Sequence, residues 1–135
     1  MIRDASYDDY SELLRLVTNL LNANGYYDVK ETMLKRMFTR CVMGGFAKVI
    51  EVDGSLRGLM FGMATENLWG VRCANELICY STMQTPLLLR AYRKWAVDNK
   101  LEEITVTNTF GNSRYERMLN ALGFKPISKT YRAGV

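Results

Sequence analysis

Residues 76–124 decide the fold, and they read ELICYSTMQTPLLLRAYRKWAVDNKLEEITVTNTFGNSRYERMLNALGF. This stretch predicts a strand, a polar loop, a helix opened by Pro86, a second strand, and a helix closed by Gly123 and Phe124. A strand that leads through a loop into a helix N-terminus can hold negative charge, because unpaired N–H groups and the helix dipole point there together. The stretch therefore predicts an anion site at this loop, although the loop has no glycine.

Two amphipathic helices are predicted before the first long strand. Ser6 and Asp9 have the spacing of a capping box and open a helix over residues 7–23. A second box at Asp28 and Glu31 opens another helix, which two consecutive glycines end. Apolar residues recur every three or four positions in both, so each helix should bury one face.

The apolar period changes from helical to alternating at Phe46. It predicts strands over Phe46–Val52 and 56–64, joined by the hairpin dipeptide Asp53-Gly54, and a third strand over 71–80. Gly58 and Gly62 lie inside the second of these strands, where glycine often marks a bulge or a close backbone approach.

Two more strands are predicted, over residues 104–107 and 125–131, on either side of a helix capped by Asn112 or Ser113. Thr85 is expected to cap the preceding helix with its hydroxyl. The element order is then β-α-α-β-β-β-α-β-α-β. This order predicts a single α/β domain over residues 1–135, with a mixed, mostly antiparallel sheet flanked by helices.

Composition narrows the classes of function. The 135 residues are 48% hydrophobic and 24% charged, which is ordinary for a globular protein. No histidine is present, which excludes Ser-His-Asp and Cys-His catalysis and His-based metal sites, and no metal site is predicted. The three cysteines lack CxxC spacing and are interpreted as reduced, mostly buried thiols.

Charge and hydropathy give expectations about partners and location. The first residues are charged and no stretch approaches ~20 apolar residues, so we expect a cytoplasmic protein with no membrane partner. A net charge of +4 would suit an anionic partner such as a phosphorylated cofactor or a nucleic acid. Solubility alone explains the charge equally well.

The element order, together with Asn112 and the Leu-Gly-Phe ending at Phe124, resembles the GNAT family of N-acetyltransferases. The resemblance covers the whole chain and implies an acetyl-coenzyme A site. The family's phosphate loop, R/Q-x-x-G-x-G/A, falls on residues 80–85, where none of its glycines is present. The tyrosine that in many members protonates the leaving thiolate falls on Leu119, and Tyr115 is the nearest phenol.

The resemblance implies where the cofactor would bind. The pyrophosphate would lie on main-chain N–H groups between Met83 and Pro86, and the pantetheine arm between splayed strands at Ile78 and Val106. Backbone donors hold an anion whatever the side chains are. The predicted cofactor-binding residues are Ile78, Tyr80, Met83, Gln84, Thr85, Arg90 and Asn112, with Arg93 as a further charge-assisted donor.

Acyl transfer from a thioester to an amine needs a base, a donor for the developing oxyanion, and in-line positioning. Glu76, on the strand beside the implied acyl site, is the leading candidate base, and Glu66 is the second. A carboxylate near its ordinary pKa is a poor base, so burial would have to raise that pKa, or a water would have to relay the proton. Tyr115 is the candidate acid. Cys79 as a nucleophile is disfavoured, because no histidine is present to form its thiolate.

The sequence therefore predicts an N-acetyltransferase that moves an acetyl group from acetyl-CoA to a small-molecule or peptide amine. The alternative is a GNAT-fold protein that has lost catalysis and has a structural or regulatory role, for example in a bacteriophage. A nucleic-acid-binding module is the weakest hypothesis, since no continuous basic and aromatic stripe is present. The acceptor cannot be inferred, and the oligomeric state stays open, a homodimer included.

Overall fold

The structure, a computed structural model, describes residues 1–25, 30–131 and 133–135, and in these it forms a β-sheet between two layers of helices. The longest described helices have 14 residues, and none of them is long and apolar enough to cross a membrane. The elements in chain order are β1 (Ile2–Asp4), a 3₁₀ turn (Tyr7–Asp9), α1 (Tyr10–Ala23), α2 (Glu31–Gly44), β2 (Phe46–Val52), β3 (Ser55–Glu66), β4 (Arg72–Ser81), α3 (Thr85–Asp98), β5 (Glu103–Thr105) and α4 (Ser113–Ala121).

The sheet has the spatial order β1-β2-β3-β4-β5, with the first four strands antiparallel and β5 parallel to β4. Asp53 and Gly54 connect β2 to β3 with φ of 51° and 78°, the left-handed geometry that tight hairpins need. The predicted α/β class and mostly antiparallel sheet are therefore confirmed. The predicted strand over residues 125–131 is wrong: these residues form no strand. β5 offers a partner only three residues long, and Pro126 has no N–H to donate.

The predicted helices before β2 are confirmed where the structure describes them. The segment 7–23 forms the 3₁₀ turn and α1, and the Ser6 N–H donates to the Asp9 carboxylate at 2.8 Å as the capping box predicts. Arg3 holds the same carboxylate through two of its nitrogens, at 2.8 and 2.9 Å. Asp28, the predicted start of the second helix, lies outside the described residues. That helix ends at Gly44, as predicted.

Each face of the sheet covers its own hydrophobic core. α1 and α2 lie on one face, and α3 and α4 on the other, so a sheet residue's face decides which helices it meets. The first core includes Leu13, Val17, Phe38, Leu59 and Phe61. The second includes Phe46, Ile50, Leu88, Tyr92 and Ala96.

Gly62 marks both a close approach and a bulge. A Cβ atom at this position would lie 2.8 Å from a ring carbon of Tyr92, so the Tyr92 ring packs directly against the β3 backbone. The register of β3 and β4 shifts at the same place, where Phe61 pairs with Ile78 but Gly62 pairs with Glu76. Leu77 is therefore an extra residue in β4, and the predicted bulge at this glycine is confirmed.

The two helices of the second layer end in the same hydrogen-bond pattern. After α3 the N–H of Leu101 donates to the carbonyl of Ala96 at 2.9 Å. After α4 the N–H of Phe124 donates to the carbonyl of Leu119 at 3.0 Å. Both patterns need one residue with positive φ, which is Lys100 (58°) after α3 and Gly123 (88°) after α4. The same turn is therefore built once with glycine and once with a residue that carries a Cβ.

Candidate active site

The site begins where β4 and β5 part. The two strands pair over only three positions, from Cys73 opposite Glu103 to Asn75 opposite Thr105. β4 then continues to Ser81 while β5 ends. Within the described residues, positions 76–81 of β4 therefore have a strand partner on the β3 side alone. We call this stretch the open edge of β4. Unpaired main-chain groups along a strand edge are available to an extended ligand.

The bulge at Leu77 changes which helices the open edge meets. Ala74 and Cys79 are five residues apart and would lie on opposite faces of a regular strand, yet both pack against the α3 and α4 layer. Ile78 instead packs against the α1 and α2 layer. The extra residue therefore brings the thiol of Cys79 to the same layer as Tyr92 and Tyr115.

Glu76 is the first residue of the open edge, and its carboxylate reaches across the gap. Its Oε2 accepts a hydrogen bond from the N–H of Thr107, just past β5, at 3.3 Å. Burial raises the pKa of Glu76 to about 7, against the opposing effect of the Thr107 bond. A carboxylate with this pKa accepts a proton near neutral pH far better than an ordinary one. The condition that the sequence set for a base at this position is thus met.

Tyr115 comes from α4 and its hydroxyl oxygen is buried close to the Cys79 thiol, with no oxygen or nitrogen partner within the described residues. Burial first, and then the nearby Cys79 and Glu76, raise the pKa of Tyr115, so the phenol stays protonated at neutral pH. A buried donor without a partner is costly unless a ligand or water satisfies it. The arrangement therefore offers a base and a proton donor next to the same strand edge.

Cys79 lies between these two groups but is not an activated nucleophile. Burial, followed by the charge of Glu76, raises the pKa of Cys79 to about 12, so the thiol stays neutral at physiological pH. This agrees with the sequence-based expectation that Cys79 does not attack the acyl group.

The loop between β4 and α3 is held by its own side chains. Ser81 Oγ donates to the carbonyl of Met83 and accepts from the Met83 N–H at 3.0 Å. Thr82 donates both its N–H, at 3.1 Å, and its hydroxyl, at 3.3 Å, to the carbonyl of Arg57. The N–H groups of Met83 and Thr82 are thus already used within the chain.

Two main-chain N–H groups of this loop, those of Gln84 and Thr85, donate to no group in the described part of the chain. α3 begins at Thr85, whose hydroxyl makes no cap, so the predicted Thr85 cap is wrong. Gln84 occupies the cap position with a left-handed backbone, φ 59°, and its side chain accepts no capping bond either. These two amides therefore remain free for an anion at the positive end of the α3 dipole.

Other residues predicted for the cofactor site lie around this core. Ile78 and Val106 border the gap but face opposite helix layers, and Tyr80 is partly buried near the end of β4. Arg90 is exposed one turn into α3. Asn112 caps α4, accepting from the Tyr115 N–H at 2.9 Å.

Two further candidates lie apart from the Glu76 and Tyr115 pair. Arg93 donates to the carbonyl of Leu122 at 3.3 Å and lies over the Phe124 ring at 5.4 Å, so it secures the end of α4. Glu66, the second candidate base, is exposed at the end of β3 and pairs in register with Arg72.

Sequence reasoning missed two features of the site. Nothing in the sequence marked the Thr107 amide as the partner of Glu76, because the contact joins residues 31 positions apart. The sequence also gave no sign that the carbonyl of Arg57 would hold the β4–α3 loop through Thr82, because Arg57 has the pattern of any outward-facing strand residue. Gly62 was the one local signal that pointed to the bulge.

No family model matches this chain, and no curated protein matches it either. Solved structures do match over the full chain. One titled a transcriptional regulator, from Bacillus halodurans C-125, has a TM-score of 0.80 at 15% identity and is covered over 99% of its length. An aminoglycoside antibiotic 6'-N-acetyltransferase from Acinetobacter haemolyticus has a TM-score of 0.74 at 15% identity, with 97% covered.

A third similar structure is AAC(6')-Iy in complex with the bisubstrate analogue CoA-S-monomethyl-acetylneamine, with a TM-score of 0.76, 13% identity and 98% of its chain covered. Each of the three aligns with 100% of the present chain. At such low identity the similarity shows the fold, and that fold is the one of GNAT-type acetyltransferases.

Proposed function

We propose that this protein is an N-acyltransferase that moves an acetyl group from acetyl-CoA to an amine. The observation that carries the proposal is that the Glu76 carboxylate, whose pKa burial raises to about 7, and the buried hydroxyl of Tyr115 lie beside the same open edge of β4. The fold supports the same class, since one similar structure was solved with an analogue that contains coenzyme A. The sequence's resemblance to the GNAT family agrees with it.

In the proposed reaction, the neutral amine nitrogen attacks the thioester carbonyl carbon. The C–N bond forms and the C–S bond breaks, and the sulfur leaves with that bond's electron pair. Glu76 accepts the proton lost by the nitrogen, and the Tyr115 hydroxyl donates a proton to the sulfur. Solvent then takes the proton from Glu76 and returns one to Tyr115. Amine and thioester thus become amide and thiol, with no covalent intermediate on the protein.

The chain's own groups account for binding of the thioester substrate. The free N–H groups of Gln84 and Thr85 would hold the pyrophosphate, with Arg90 as the nearby cation. The main-chain groups of the open edge would hold the pantetheine amides as another strand would. Met83 contributes no amide to this site, since Ser81 already accepts its N–H.

Isothermal titration with acetyl-CoA is the first test, and release of free thiol with a panel of small amines and peptides is the second. The wild type should bind acetyl-CoA, and Glu76→Gln should keep that binding while turnover falls about 100-fold. Turnover of the wild type should rise with pH through about 7, as Glu76 ionises. Glu66→Gln is the matched control and should leave turnover unchanged. Absence of acetyl-CoA binding by the wild type would refute the proposal.

A second candidate function is a non-catalytic binding protein on the same fold. The loop favours it, because Met83 and Thr85 occupy the family's glycine positions and leave fewer free amides. A similar structure titled a transcriptional regulator is consistent with such a role. Binding of acetyl-CoA without thiol release for any amine in the panel, and without an effect of Glu76→Gln, would support this second function.

A further inference from the structure

A cavity of about 300 Å³ lies between α1 and the end of the sheet where the β4–α3 loop begins. Its walls come from α1, the start of β3 and the end of β4, so it lies on the α1 side of the sheet and meets the open edge of β4 at Tyr80. The residues that matter are Glu12, Arg15, Ser55, Arg57, Tyr80 and Thr82. Thr82 is fixed there by its two bonds to the Arg57 carbonyl and lies two residues before Gln84. The cavity therefore adjoins the loop with the two free amides.

The lining of this cavity suits an anion. Two arginines, Arg15 and Arg57, line it together with a single acidic residue, Glu12. That carboxylate already accepts the Leu56 N–H at 3.0 Å, and its pairing with Arg15 is loose at 3.7 Å. Arg57 has no ion pair within the described residues. A guanidinium without a carboxylate partner is a strong bidentate donor to phosphate.

The position along β4 fits the phosphorylated end of an acyl-CoA. Tyr80 lies three ladder positions beyond Glu76, since the extra residue Leu77 takes no place in the ladder, and at ~3.3 Å per position this puts Tyr80 about 10 Å from the proposed acyl-transfer point. The pantetheine arm has a comparable reach, so a thioester at Glu76 brings the phosphates to this end of the strand. The loop supplies only two free amides, which leaves part of the phosphate charge to be met by side chains.

We propose that Arg57, with Arg15, holds the 3′-phosphate of the coenzyme A nucleotide in this cavity. The inference rests on the proposed function, since it assumes an acyl-CoA ligand. It accounts for a phosphate loop without glycines, because the side chains of two arginines would bind the nucleotide end of the ligand where backbone amides bind it in a glycine-containing loop. These arginines lie on α1 and β3, outside the β4–α3 loop.

The test compares acetyl-CoA with 3′-dephospho-acetyl-CoA by isothermal titration. The wild type should bind acetyl-CoA about tenfold or more tightly than the dephospho compound, the usual size of a charge-assisted hydrogen bond. Arg57→Gln should bring the two affinities close to equality, and Arg15→Gln should reduce their ratio. Arg40→Gln, which removes one exposed positive charge from α2, is the matched control and should keep the full ratio. Circular dichroism checks that each variant is folded.

The outcomes separate this inference from the proposed function. Equal affinities of the wild type for both compounds would overturn the cavity assignment while leaving the acyltransferase proposal intact. The same holds if the ratio survives in Arg57→Gln. If the wild type binds neither compound, the proposed function fails, and the inference fails with it.

Discussion

Replacing Glu76 with glutamine should stabilise the protein at neutral and alkaline pH. The ordinary carboxyl pKa of 4.5 is raised to about 7 in the folded state. Between these values the folded protein keeps a proton that the unfolded chain has released, so wild-type stability falls as the pH rises. A shift of this size corresponds to at most about 3.4 kcal/mol at 1.36 kcal/mol per pKa unit. Since Glu76 is only half-buried, we expect about 2 kcal/mol after solvent screening.

Urea unfolding of the wild type and Glu76→Gln over a pH series measures this difference directly. The two proteins should have the same stability below about pH 4.5, where the carboxyl is neutral in both states, and should diverge until about pH 7. Glu66→Gln, at an exposed strand end, is the control and should follow the wild type at every pH. A constant offset between wild type and Glu76→Gln across the series would refute the raised pKa, and with it the argument for Glu76 as base.

Three further predictions follow from contacts elsewhere in the fold. Lys100→Gly should stabilise the protein by about 0.5 kcal/mol in urea unfolding, whereas Gly123→Ala should destabilise it by about 1 kcal/mol. Both positions need positive φ, which glycine adopts more easily than any residue with a Cβ. The opposite signs would contradict this explanation. Arg3→Met should cost about 2 kcal/mol at neutral pH by leaving the Asp9 carboxylate without its main partner. Because the Arg3 hydrogen bond holds the pKa of Asp9 below 3.8, that cost should shrink once the pH falls below this value, and a cost independent of pH would argue against the pair. Tyr115→Phe should lower kcat about 100-fold with KM nearly unchanged in the thiol-release assay, and an unchanged kcat would remove Tyr115 from the mechanism.

The sequence correctly predicted those parts of the fold that depend on only a few neighbouring residues. The Asp53-Gly54 hairpin, the Asn112 cap and the bulge at Gly62 are each decided by a few neighbouring residues, and each is confirmed. The strand predicted over residues 125–131 has the right alternation but no adequate partner, because β5 has only three residues. A strand needs a neighbour as well as a pattern, and the pattern alone does not show whether that neighbour exists.

The sequence named the residues of the candidate site, but it could not give the energetics of their surroundings. Glu76 and Tyr115 were chosen by their positions on β4 and α4, and the structure brings them beside the same edge. Burial raises the pKa of Glu76 and the Thr107 amide partly opposes it, and both effects depend on contacts distant in sequence. Thr85 failed as a cap because α3 begins at Thr85 itself, and Gln84 holds the cap position with a left-handed backbone.

Leu77 shifts the alternation of side chains in β4 by one residue. Deleting it would leave Glu76 and Ile78 next to each other, and these two residues already pair with the adjacent positions Gly62 and Phe61 of β3. Ile78 would therefore still face α1 and α2, and Cys79 the tyrosines of the opposite layer. An in-frame deletion of this single codon should thus remove the bulge while keeping the surroundings of the strand end.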